Sequence, residues 1–209
     1  MLKGLLPNTT SRPNRRLANN AAAVIKRYFS KGALAGGFTK EGLQQFGKRL
    51  WNEKQDDRDR NPYSDLFYDK ISVPCSTWLD SHNDPSAEIA KAFFSSRRFY
   101  PERMLMTPFL YDKMHVPEFR EGDKFLAWEV ISKSPLELIC SWNLGKVQGL
   151  TTVAFDPKLR RLYHGNCIDF DTADSRVFQA LLPLHCHYAK FLLGGMKDVL
   201  EKKAIEEDE

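Results

Sequence analysis

The first forty residues contain no acidic side chain, the earliest carboxylate being Glu41. That stretch carries eight basic residues: Lys3, Arg12, Arg15, Arg16, Lys26, Arg27, Lys31 and Lys40. Residues 41–209 are left with 23 of the chain's 31 basic side chains against all 27 acidic ones, a net charge of −4, although the whole 209-residue chain is +4. The sequence pI of 8.8 is therefore no argument for a nucleic-acid or anionic partner, since the basic excess sits at one end. Other absences narrow the field further. The four cysteines (Cys75, Cys140, Cys167, Cys186) form no CxxC pair and no short Cys/His spacing, which excludes the usual metal and dithiol motifs and reads as reduced structural thiols. No apolar run approaches the ~20 residues that span a bilayer, and no secretory core follows Met1, so at most peripheral membrane contact is expected. There is no HExxH, nucleophile elbow or dinucleotide fingerprint, and Gly32–Gly37 lacks the GK[ST] of a phosphate loop. No metal and no cofactor is expected, and any catalysis would come from dispersed residues.

What the N-terminal stretch does have is the composition of a mitochondrial presequence. It is basic, bears Ser and Thr, and over Leu17–Phe29 places Leu17, Ala21, Val24, Ile25 and Tyr28 on one helical stripe. Such a helix suits an apolar receptor groove on one side and the membrane potential on the other. Arg27-Tyr28-Phe29-Ser30 resembles the matrix processing pattern, so cleavage is expected after Phe29, with Arg27, Phe29 and Ser30 as the residues read. The expected location is the mitochondrial matrix or its membrane face. A disordered basic arm on a cytosolic protein and chloroplast import are the alternatives.

Behind residues 1–29 the expected order is a linker with one short helix over residues 30–62, a domain over residues 63–204, and an acidic tail over residues 205–209. Glu41–Asn52 places Leu43, Phe46, Leu50 and Trp51 at helical spacing, a face suited to packing on something, including a protein partner through Leu43, Phe46 and Trp51. Gln55–Pro62 has no apolar residue and reads as loop. Leu66–Val73 alternates like a strand that Pro74 ends. Asp84-Pro85 opens a helix running to about Ser96, with Ile89, Ala90, Phe93 and Phe94 on its apolar face. The three prolines of Phe99–Arg120 resist assignment. Leu126, Trp128 and Val130 alternate on one strand, and Leu136, Leu138, Cys140 and Trp142 on the next. Val147–Phe155 and Arg160–Ile168 follow as a third and fourth, and the hairpin succession implies an antiparallel sheet. A helix closes the chain over Asp174–Lys203, with Val177, Leu181, Tyr188, Leu192, Met196 and Val199 as its expected sheet-facing stripe. Pro183 should kink or restart it.

The order of Gly122-Asp123, Trp128-Glu129-Val130, Pro135-Leu136-Glu137-Leu138, Gly149-Leu150-Thr151-Thr152, Arg161-Leu162-Tyr163 and Leu182-Pro183-Leu184-His185 resembles a domain-of-unknown-function family within the START-like, polyketide-cyclase (SRPBCC) superfamily. The likeness covers about residues 64–200. It implies an α+β helix-grip fold, a curved antiparallel sheet wrapped around a long C-terminal helix, often with an apolar cavity between them.

Within such a fold His185 would face the sheet and border the cavity, at helical spacing with Tyr188. It would orient a ligand or move a proton, or else be a satisfied histidine at the core's edge. Trp128, Trp142 and Thr151 are the strand residues expected to touch a ligand, against the plainer reading that the tryptophans are core. His187, about 200° around the helix from His185, cannot share a metal with it. Asp169–Asp174 reads as a capped helix entry rather than a calcium loop, and Glu137, opposite Leu136 and Leu138, is expected in solvent. The functions compatible with this are carriage of an apolar molecule such as a lipid, quinone or isoprenoid, a structural accessory subunit of a mitochondrial assembly, and a cyclase- or hydrolase-like enzyme using His185.

Overall fold

The computed structural model describes residues 39–52, 61–104 and 118–207. The presequence and its Arg27-to-Ser30 cleavage site, like the Phe99–Arg120 prolines Pro108 and Pro117, lie outside the described residues. The first helix, α1 (Lys40–Asn52), precedes strand β1 (Tyr63–Lys70), helices α2 (Val73–Ser81) and α3 (Pro85–Ser95), and a 3-10 turn at Arg97–Phe99. Residues 100–104 continue as helix. Strands β2 (Lys124–Phe125), β3 (Trp128–Ser134), β4 (Glu137–Leu144), β5 (Val147–Asp156) and β6 (Arg161–Ile168) follow, then the short α4 (Phe170–Ala173) and the long α5 (Arg176–Glu206).

All six strands form one curved, open antiparallel sheet in the order β1-β6-β5-β4-β3-β2. Strands β2 to β6 are hairpin neighbours, whose pairing costs little loop entropy, whereas β1 joins the far side of β6 across about a hundred residues. This is the α+β architecture of sheet and long C-terminal helix that the sequence led us to expect. Alternation along each strand sorts side chains to two faces. The inner face, with Phe67, Leu162, Val153, Leu138 and Val130, packs under α2, α3 and α5 in the main core. The outer face carries Ile139, Leu150 and Cys167, covered by Leu43 and Trp51 of α1. Thus the helix offered to a protein partner has Leu43 and Trp51 buried, with Phe46 packed beside them, on the chain's own sheet. Gly47 of α1 and Gly165 of β6 permit that approach. A Cβ on Gly165 would come within 3.0 Å of the Leu43 side chain.

Three local expectations need correction, and of the kink or restart expected at Pro183 the restart is excluded. The first strand lies three residues earlier than Leu66–Val73, because Ser72 caps α2 through its hydroxyl and Pro74 sits in the first turn of that helix, where a missing N–H costs nothing. Glu137 is 4% exposed rather than in solvent. Alternation did turn it away from Leu138, but the outer face is itself covered there. Helix α5 runs through Pro183 without restarting. Its Val177 and Leu181 are 70% and 51% exposed. In the first turns the face directed at the sheet is offset by one residue, with the Phe178 ring 5.3 Å from Tyr63 and 5.9 Å from His185. The stripe becomes buried further on, at Ala189, Leu192, Met196 and Leu200.

The aspartate run behaves as a helix entry. Asp169 caps α4 by accepting from the Thr172 N–H at 3.0 Å, and its other oxygen accepts from the Gln148 N–H at 2.9 Å. All four cysteines are free thiols, three of them buried.

Candidate functional site

Between the inner face of the sheet and α5, the aromatic side chains leave a cleft of about 260 Å³. Phe93 and Phe99 form one wall, Leu192 and Ala189 of α5 another, and Leu144, 46% exposed, stands at its edge. All five residues singled out as ligand-binding from the sequence, His185, Tyr188, Trp128, Trp142 and Thr151, line this one cleft. They come from three strands and a helix, and the pairing of Trp128 with Trp142 across β3 and β4 sets the two indoles on the same face.

The cleft's floor is a ladder of hydrogen bonds. Trp142 Nε1 donates to Thr151 Oγ1 at 3.1 Å, and Thr151 Oγ1 donates to Asn166 Oδ1 at 3.4 Å. Asn166 donates from both its backbone N–H and its side-chain Nδ2 to Asp65 Oδ1, each at 3.1 Å. The ladder ends where His185 Nε2 meets Asp65 Oδ2 at 2.7 Å. Asp65 is 5% exposed, and a buried carboxylate needs such company. Burial alone would push its carboxyl up, but the His185 hydrogen bond and charge, with the Asn166 amide, outweigh that and hold it below the usual carboxylate range. Asp65 is therefore ionised and accepts only, so the proton on the shared line belongs to His185 Nε2 and the lone pair of a neutral ring to Nδ1.

His164 sits beneath Phe93, ring centroids 4.8 Å apart. Burial drops its pKa to about 4, only partly offset by the Asp65 charge and the Thr152 carbonyl, so near neutral pH it is uncharged. Its Nδ1–H donates to Thr152 O at 3.3 Å, leaving Nε2 to accept from Asn166 Nδ2 at 3.4 Å. Glu102 lines the same cleft as Tyr188, and burial pushes its carboxyl up to about 7 against the lowering effect of the Tyr188 hydroxyl. Tyr188 is raised in turn to about 12, by burial and by the Glu102 charge. Among the described residues no cluster of His, Cys, Asp or Glu is arranged to hold a metal ion.

Asp65, Asn166, His164 and Glu102 went unnoticed in the sequence. For the first three a signal existed. Tyr63, Asp65 and Phe67 alternate on one face of β1, and Leu162, His164, Asn166 and Ile168 on one face of β6, so polar residues stand in core-facing rows. Glu102 lies in the stretch that resisted assignment and gave no sign of its role. One buried donor on the cleft wall, the indole N–H of Trp128, has no partner among the described residues. Comparison of the chain with protein-family models, with curated proteins and with solved structures gives no match.

Proposed function

We propose that this protein binds a small, largely apolar molecule between its sheet and its C-terminal helix, with a polar end set against His185. The observation that carries the reading is an aromatic-walled cleft floored by a hydrogen-bond ladder that ends at His185, the pattern by which pockets fix a ligand's orientation. Size restricts the ligand. Small-molecule sites run from about 300 to 1,000 Å³, and an empty apolar cavity of about 150 Å³ takes up benzene. A cleft near 260 Å³ holds one or two fused rings, or the ring of a quinone or the head of an isoprenoid whose tail leaves past Leu144. The unmet Trp128 N–H adds a preference for a ligand that accepts a hydrogen bond, since an unpaired buried donor costs roughly 1–3 kcal/mol. The START-like sequence resemblance supports the same reading, and the basic N-terminal segment supports a mitochondrial setting. The test joins two measurements. Organic extraction of protein purified from mitochondria, followed by mass spectrometry, should release an apolar compound. Titration with 1-naphthol should saturably change tryptophan emission, and Ala189→Phe, which fills the cleft, should suppress the change. No extracted compound and no saturable response would remove the proposal.

A further inference from the structure

We propose that the cleft also catalyses proton transfer at carbon next to a carbonyl, in a small apolar ketone or enone, with His185 as the base, Asp65 positioning it, and the Tyr188–Glu102 pair donating to the carbonyl oxygen. The inference rests on the binding reading above and adds a chemistry to it.

Three geometrical facts lead there. First, Asp65 Oδ2 occupies His185 Nε2 at 2.7 Å, so the basic lone pair is at Nδ1, and no hydrogen bond to Nδ1 is made among the described residues. Asp65 is in turn held by three donors, counting His185, which fixes the ring's tautomer and orientation. Second, Tyr188 follows His185 by three residues on the same helix face, which sets their Cβ atoms about 5–6 Å apart, and both line the cleft. A molecule bridging them puts its acidic C–H at one and its oxygen at the other. Third, Tyr188 and Glu102 both line the cleft, so a phenol and a carboxyl border the space in which a substrate oxygen would lie. When Glu102 is protonated, Tyr188 and Glu102 are two O–H donors in the lining of the cleft, and either can meet the substrate oxygen. The elevated Glu102 pKa keeps that neutral form populated near pH 7. No Ser or Cys side chain bonds to His185 among the described residues, since Cys186 Sγ is at 3.5 Å from the Tyr63 hydroxyl, and the arrangement favours a base acting directly on carbon over nucleophilic catalysis.

The step balances without a co-reactant. His185 Nδ1 takes the α-proton, the C–H electron pair becomes the enolate C=C, and the carbonyl π pair moves to oxygen, where the Tyr188–Glu102 donor meets it. The imidazolium, stabilised by Asp65, exchanges its Nδ1 proton with solvent and delivers a proton to the α-carbon or, in a β,γ-unsaturated ketone, to the γ-carbon. The product is the substrate carrying a solvent hydrogen at the α-carbon, or its conjugated isomer.

A simple probe is 2-tetralone in D₂O with the full chain, following α-deuteration by NMR and binding by tryptophan emission. Saturable binding with exchange well above the buffer rate is expected. His185→Gln, compared at saturating 2-tetralone, should lose at least ~100-fold in exchange. Tyr188→Phe should lower kcat on the order of 10²-fold with KM little changed. Asp65→Asn should lower kcat while leaving KM, because an amide that donates to Nε2 moves the proton onto Nδ1. Binding without exchange, or equal exchange in His185→Gln and the unaltered protein, overturns the catalytic proposal and leaves the binding reading standing. Absence of saturable binding overturns both.

Discussion

The indole of Trp142 occupies the space in which a side chain at Gly149 would stand, directly across the β4–β5 pair. A Cβ there would collide with three atoms of the six-membered ring. Gly149 is thus the residue that lets Trp142 lie close to the sheet and reach Thr151.

Gly149→Ala should therefore do more than add a methyl group. Overpacking of this kind costs about 1–3 kcal/mol, and displacing the indole also breaks the Trp142–Thr151 bond that begins the ladder. The expected outcome is a lower urea midpoint, a changed near-ultraviolet circular dichroism spectrum, and weaker 1-naphthol binding. An unchanged spectrum would show that Trp142 does not rest on this glycine.

Glu137 should make the fold less stable as pH rises through the acidic range. Burial pushes its carboxyl up to about 7, against the lowering effect of the Thr152 hydroxyl bonded to it, and its Oε2 has no partner among the described residues. Between about 4.5 and about 7 the folded chain keeps a proton that the unfolded chain has released, so stability falls across that window. Glu137→Gln should remove this slope and be the more stable protein at pH 8, by roughly 3 kcal/mol at about 1.4 kcal/mol per pKa unit. Urea unfolding at pH 5 and pH 8 measures it. Equal slopes in both proteins would place the carboxyl in water.

His164 acts in the opposite sense. With a folded pKa near 4 and an ordinary value of 6.5, it is neutral in the fold where the unfolded chain would be protonated. Its contribution is complete above pH 6.5 and is lost as pH falls towards 4. His164→Gln, which retains an amide donor for the Thr152 carbonyl, should flatten acid destabilisation in that range. Nuclear magnetic resonance of the imidazole should show no titration near pH 6.5.

Two adjacent glycines of α5 should respond differently to alanine. A Cβ on Gly194 meets the guanidinium end of Arg98, which bonds Phe191 O at 3.1 Å and Asp198 at 2.6 Å. A Cβ on Gly195 meets Arg98 near its backbone, at 2.9–3.0 Å. Gly194→Ala should be nearly neutral, a helix-propensity gain of about 1 kcal/mol offsetting a partly exposed ion pair worth about 0–1 kcal/mol. Gly195→Ala should be destabilising, because the 3-10 turn itself must move. Thermal melts that rank them the other way would contradict this packing.

The sequence alone determined the parts of this protein whose causes are local. Alternation from Trp128 to Ile168 marks four successive strands, because side chains on a pleated backbone change face at every residue. Asp84-Pro85 marks a helix start, because Asp84 accepts the Ala87 N–H at 3.1 Å within its own turn. His185, Tyr188, Trp128, Trp142 and Thr151 were chosen for facing an expected core, and periodicity is enough to say that. Tertiary structure decided what those residues meet. Asp65 and His185 stand 120 positions apart, and only the docking of β1 on β6, with α5 laid across both, brings them to 2.7 Å. Whether Glu137 saw water, and which side of α5 faced the sheet near Val177, depended on what covered each face. A period of two or of 3.6 says that a residue has a side, but contacts made by distant parts of the chain decide whether that side holds water, core or a ligand's place.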